Sequence, residues 1–130
     1  MAQSVREVMT SEPKTVDAGA PVVEAARIMA DADVGAVVVV DGDRVAGIVT
    51  DRDITVRAVA KGRDPASTPV REVYSAELTT LTPEDTVDDV VRLMREKAVR
   101  RLPVVEGGRP VGIVSLGDLA VDREAAVCPG

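Results

Sequence analysis

Few side chains in this chain can do chemistry. It has no histidine, and Cys128 is its one cysteine. Imidazole general bases are therefore excluded, and zinc sites built from His and Cys have no ligand set. No serine or cysteine stands beside an evident base, so nucleophilic catalysis finds no pair. Hydroxyls, carboxylates and arginines remain. The stretch Gly47-Ile48-Val49-Thr50-Asp51-Arg52-Asp53-Ile54 sets the Thr50 hydroxyl three residues ahead of the Asp53 carboxylate. Gly112-Ile113-Val114-Ser115-Leu116-Gly117-Asp118-Leu119 repeats the device with Ser115 and Asp118. Taken alone, this is the spacing of a helix N-cap. The same geometry suits a phosphorylated nucleoside. Free N–H groups and the positive end of a helix dipole favour phosphate, a hydroxyl adds a donor, and a carboxylate accepts from a ribose diol. Two occurrences, each where a strand-like run meets a helix-like one, put binding on an equal footing with capping alone.

The two copies sit in different electrostatic settings. The first carries Asp51, which repels phosphate, and Arg52, which offsets it. The second has Leu116-Gly117 there, and it has Arg100-Arg101 where the first has Gly35-Ala36. Arginine forks hold phosphate well, although a solvated corner would also accept them. The second half-site (Thr80, Arg101, Ser115, Asp118) is therefore expected to bind a phosphorylated ligand better. A base would lie against Thr15-Val16 and Thr80-Leu81, closed in by the corners Gly35-Ala36-Val37 and Arg101-Leu102-Pro103. Val16, Val37 and Leu102 equally fit ordinary strand packing.

The elements that position these residues come from an internal repeat. Val5-Arg6-Glu7-Val8-Met9-Thr10 matches Val70-Arg71-Glu72-Val73-Tyr74-Ser75, and Gly47 matches Gly112; 70 − 5 and 112 − 47 both give 65. Each unit opens with a short amphipathic turn (Ser4 to Met9, Pro69 to Tyr74), followed by an extended piece. A helix is predicted from about Pro21 to Ala32 and from about Val87 to Lys97, on the spacing of its apolar residues. A hairpin then turns at Asp41-Gly42-Asp43 and at Glu106-Gly107-Gly108. Its strands are apolar almost throughout, which predicts cover on both faces. A last helix follows Thr50 to about Ala60, and Ser115 to about Ala125. The units are placed at 1–62 and 69–125, joined by a linker at 63–68 and followed by a tail at 126–130. The fold class is α+β: helical turn, β, α, β, β, α, twice, packed as a pseudo-twofold pair.

Composition narrows the function. Lys and Arg number 16 against 22 Asp and Glu, a net charge of −6. Nucleic-acid binders depend on a basic face, so nucleic acid is not expected as the main partner. There is one tyrosine, no tryptophan and no phenylalanine, so the core is aliphatic and a base cannot stack on a row of aromatic rings. The N-terminus lacks the apolar core of a signal peptide and no run is long enough to span a membrane, which predicts a cytoplasmic location.

The paired runs Val34-Gly35-Ala36-Val37-Val38-Val39 and Val99-Arg100-Arg101-Leu102-Pro103-Val104-Val105, each followed by its Gly-Ile-Val-Thr/Ser stretch, resemble the cystathionine-β-synthase (CBS) domain in tandem, the Bateman module. The resemblance covers essentially the whole chain and is similar to small stand-alone bacterial pairs. It implies a regulatory sensor, not an enzyme. In such a module, clefts between the paired units bind AMP, ADP, ATP or S-adenosylmethionine, with no required cofactor and no metal. It also implies homodimers in flat assemblies and an effector protein that reads the bound state. The candidate binding residues are thus Thr15, Val16, Gly35, Ala36, Val37, Thr50, Arg52, Asp53, Thr80, Leu81, Arg100, Arg101, Leu102, Pro103, Ser115 and Asp118. A ligand-free dimeric scaffold is the alternative.

Overall fold

β-Branched runs build two hairpins, and each hairpin organises one half of the protein. A computed structural model describes residues 3–75 and 79–117. The elements are α1 (Val5–Val8), β1 (Thr10–Ser11), β2 (Thr15–Asp17), α2 (Val22–Ala32), β3 (Ala36–Asp41), β4 (Arg44–Thr50), α3 (Asp51–Ile54), α4 (Val87–Lys97), β5 (Arg101–Glu106) and β6 (Arg109–Ser115). A π-helical turn, Thr55–Val59, prolongs α3, and Val70–Glu72 forms a 3-10 turn. The helix expected from Thr50 to Ala60 is thus wound more loosely over its second half, where the Ala60 N–H reaches the Thr55 carbonyl five residues back. In the second copy only Leu116 and Gly117 of the last helix are described. Asp118, the stretch on to 125 and the tail 126–130 with Cys128 lie outside the described residues.

Two compact units result, each α+β with a three-stranded sheet. In the first, of residues 13–75, β2 runs parallel to β3 and β3 antiparallel to β4. In the second, β5 pairs antiparallel with β6, and β6 with β1. Gly42 alone takes a positive φ in its two-residue turn, whereas Gly107 and Gly108 both do so in theirs. Burial is continuous along β3: Val37, Val38 and Val39 are all fully buried, as the unbroken apolar run predicts.

The second unit consists of residues 3–12 with 79–117. Sequence placed the boundaries at 1–62 and 69–125, with each repeat contiguous, but the packing is drawn differently. The opening turn of each repeat belongs to the unit built from the other. Val5 lies fully buried among Leu81, Val90, Leu102 and Val104, while Val70 and Val73 join Val16, Val22, Val37 and Val49. The exchange is reciprocal down to its hydrogen bonds. The Val5 N–H donates to the Asp85 carbonyl and the Val87 N–H to the Gln3 carbonyl; 65 positions apart in each case, Val70 donates to Ala20 and Val22 to Thr68.

This docking explains the two strand glycines. Ser75 exchanges backbone hydrogen bonds with Ile48 beside Gly47, and Ser11 pairs with Gly112. A Cβ on Gly47 would overlap the Ser75 carbonyl oxygen and stand 2.8 Å from the Tyr74 ring. One on Gly112 would overlap the Met9 sulfur and stand 3.0 Å from the Thr10 carbonyl.

The long helices end alike. Asp33 after α2 and Ala98 after α4 adopt left-handed backbone, with φ of 55° at each, and the next N–H closes on the Met29 or Met94 carbonyl. Alanine has a Cβ that opposes this conformation and no side chain to compensate. Ala98→Gly should therefore stabilise the protein by about 1 kcal/mol, read as a higher denaturation midpoint at unchanged m-value. A lower midpoint would show that Ala98 contributes packing that outweighs its backbone strain. At the other end of α4, Thr86 and Asp89 form a reciprocal cap. Hydrogen bonding by Thr86, helped by Arg92, holds the Asp89 carboxyl below the usual carboxylate range.

Candidate ligand-binding half-sites

Thr50-x-x-Asp53 lies where β4 turns into α3, and Ser115 ends β6 just ahead of the helical residues Leu116 and Gly117. In the first unit the turn is built from three strands. Ala36 pairs with Thr50 across β3 and β4, the Asp51 N–H donates to the Gly35 carbonyl at 3.0 Å, and Thr15 of β2 pairs with Val38. Thr50 and Asp53 cap the helix reciprocally. The Asp53 N–H donates to Thr50 Oγ1 at 3.1 Å, and the Thr50 N–H donates to Asp53 Oδ2 at 2.9 Å. Asp53 is 8% exposed, and its other oxygen lies 3.8 Å from Arg57 Nη1. The carboxylate expected to receive a ribose is thus already engaged on both oxygens. Arg52 and Thr15 are exposed.

The second unit repeats the backbone frame. Arg101 pairs with Ser115, and the Leu116 N–H donates to the Arg100 carbonyl at 2.7 Å, the counterpart of the Asp51–Gly35 bond. Leu81 is held between the Pro103 carbonyl and the Val105 N–H, with Thr80 exposed just before it. Here the corner opens into a depression of about 370 Å³ lined by Arg100, Arg101, Ser115, Leu116 and Gly117. Neither arginine is ion-paired with any described residue, although Arg6, Arg57, Arg63 and Arg92 all are. Asp118 lies outside the described residues.

Val16, Val37, Leu81 and Leu102 belong to the hydrophobic clusters, so their side chains are packing groups. Pro103 is buried as well, and Gly35 and Ala36 are less buried than these. At Val16, Val37, Leu81, Leu102 and Pro103, only backbone atoms are left to meet a ligand. Sequence reasoning passed over Arg57. The clue was its place four residues after Asp53, the spacing at which helical charges meet.

The two corners share one backbone frame at a constant offset. A CBS domain signature matches residues 5–59 and again residues 70–121. The chain belongs to the CBS domain family. The CBS domain-containing protein YhcV of Bacillus subtilis is 44% identical over 120 residues, which is 92% of this chain and 85% of that protein. A solved chain with CBS domains from Burkholderia ambifaria superposes with a TM-score of 0.84 at 35% identity, covering 95% of each. The crystal structure of hypoxic response protein I, described with two coordinated zinc ions, superposes with a TM-score of 0.83 at 31% identity and covers 92% of this chain and 98% of that one. The zinc is a property of that protein. The present CBS pair has no histidine, and among its described residues no group of three acidic or sulfur ligands stands together. No helix of the described CBS pair is long and apolar enough to cross a membrane. CBS domain pairs are generally regulatory ligand-binding modules.

Proposed function

We propose that this CBS pair senses a phosphorylated adenosine ligand (AMP, ADP or ATP), with S-adenosylmethionine as a weaker candidate, and passes the bound state to a partner protein or to a second copy of itself. The supporting observation is the depression at Arg100, Arg101, Ser115, Leu116 and Gly117. Its volume falls within the range of small-molecule sites. Two guanidinium groups without an ion pair among the described residues, on a chain of net charge −6, mark a local site for an anion. The equivalent corner of the first unit offers Gly35, Ala36 and the acidic Asp51, and Asp53 already holds the Thr50 N–H and faces Arg57. The second half-site is therefore the stronger phosphate binder.

The test is the melting temperature and calorimetric affinity of the full chain with AMP, ATP and S-adenosylmethionine. A ligand that binds only the folded state raises the melting point. Replacing Arg100 and Arg101 together by Ala should weaken AMP and ATP by roughly tenfold or more, the size expected for losing charged hydrogen bonds. S-adenosylmethionine, which has no phosphate, should be little affected. Unchanged AMP affinity in the double variant would rule out this half-site. A second reading, a dimeric scaffold without ligand, is favoured by one feature: Val56 and Val59 on the π-helical turn are 44% and 62% exposed. A stable dimer that responds to none of the three ligands would support it.

A further inference from the structure

Arg57 joins the first half-site to a segment distant in sequence. Its Nη1 donates to the Val73 carbonyl at 3.1 Å and to the Tyr74 carbonyl at 3.2 Å, and the same atom lies 3.8 Å from Asp53 Oδ1. The Asp53 carboxylate therefore faces two ways. One oxygen holds the strand-to-helix corner through the Thr50 N–H, and the other faces the guanidinium that grips the 73–75 segment. That segment is seated on β4 just ahead of the corner, with Ser75 bonded to Ile48 and the Tyr74 ring over Gly47. Corner, carboxylate, guanidinium and segment form one continuous polar path within the first unit. At the same 65-residue offset the second repeat carries Asp122 in place of Arg57.

We propose that Arg57 is a positioning residue that couples the state of the Thr50/Asp53 corner to the 73–75 segment, so that this half-site reports its occupant at Tyr74. Hydroxyl donors from a ligand sugar would compete with Arg57 for the Asp53 charge and loosen its hold on the two carbonyls. The two half-sites then have separate roles. The arginine-lined one is the stronger phosphate binder, and the Asp53 corner, when a nucleoside occupies it, transmits. This last step rests on the nucleotide reading above; the coupling itself does not.

Tyr74 is the sole aromatic residue, so tyrosine labelled at the ring ε carbons gives one ring resonance in the full chain. Without ligand, Asp53→Asn keeps an acceptor for the Thr50 N–H and removes the charge facing Arg57. It should move the Tyr74 resonance in the wild-type background and leave it in place in an Arg57→Gln background. An unmoved resonance, or equal movement in both backgrounds, overturns the coupling. Should Asp53→Asn fail to fold, Asp53→Glu, which displaces the charge, serves the same comparison. With AMP as the probe, calorimetry should show binding to both wild type and Arg57→Gln, and the resonance should respond only in wild type. Equal responses overturn the proposal. An absence of AMP binding to either protein refutes the nucleotide reading alone, because the ligand-free comparison still decides the coupling.

Discussion

Replacing Val5 by Asp will unfold residues 79–117 before it disturbs residues 13–59, the stretch to which Val5 is joined in the chain. Val5 is fully buried, and its neighbours are Leu81, Val90, Met94, Leu102, Val104 and Val114. A carboxylate there would have no partner among them. Burying an unpaired charge places the substitution among the most damaging single changes, above about 4 kcal/mol. The milder Val5→Ala removes two methyl groups from a packed core and should cost about 2 kcal/mol. Amide hydrogen exchange gives the decisive readout. Protection in α4, β5 and β6 should fall in both variants, ahead of protection in β2, β3 and β4. The reciprocal change, Val70→Asp, should strike β2, β3 and β4 first, since Val70 packs with Val16, Val22, Val37 and Val49. Loss of protection confined to β2–β4 in Val5→Asp would mean that each opening turn supports its own repeat, contrary to the hydrogen bonds it makes.

Gly47→Val and Gly112→Val should each destabilise the protein by about 3 kcal/mol or more, the upper end of overpacking effects. Neither glycine has a positive φ, so the cause is space and not backbone conformation. At Gly47 the obstacle is the Ser75 carbonyl oxygen, a main-chain atom that cannot rotate aside, with the Tyr74 ring behind it. Any side chain there must lift the 73–75 segment off β4 and loosen Val70 and Val73 in the core. At Gly112 part of the obstacle is the Met9 side chain, which can move, so the cost should be somewhat smaller. Gly42→Ala is the control. Nothing stands within 4 Å of its added Cβ, and only its φ of +69° is penalised, a cost of about 1 kcal/mol. Equal denaturation midpoints for Gly42→Ala and Gly47→Val would remove the steric explanation.

Chain-local patterns were legible without coordinates. Both long helices lie where their apolar spacing puts them, Val22–Ala32 and Val87–Lys97, because a helix that buries one stripe must repeat it every three to four residues. The hairpins follow from β-branched runs broken at Gly42 and at Gly107-Gly108, where positive φ suits glycine. The Thr50/Asp53 cap was readable from its spacing, since capping involves only residues three apart. The π-helical winding of Thr55–Val59 was not. A helix that loosens by one residue per turn leaves no distinct mark in an apolar pattern.

The sequence by itself determined the duplication, the placing of the long helix and the hairpin in each repeat and the unequal charge of the two corners. All three depend on residue type and on spacing along the chain. Only the tertiary structure decided which repeat each opening turn completes. Val5-Arg6-Glu7-Val8 and Val70-Arg71-Glu72-Val73 are so alike that either turn could fill either core, and identical pieces carry no address. Tertiary structure also decided that Val16, Val37, Leu81 and Leu102 face the core, leaving backbone at those strand positions. It brought Arg57 against Asp53 and the carbonyls of Val73 and Tyr74, sixteen and seventeen residues away. It left Arg100 and Arg101 without an ion pair among the described residues, beside Ser115. Pairing and exposure depend on what arrives from elsewhere in the chain.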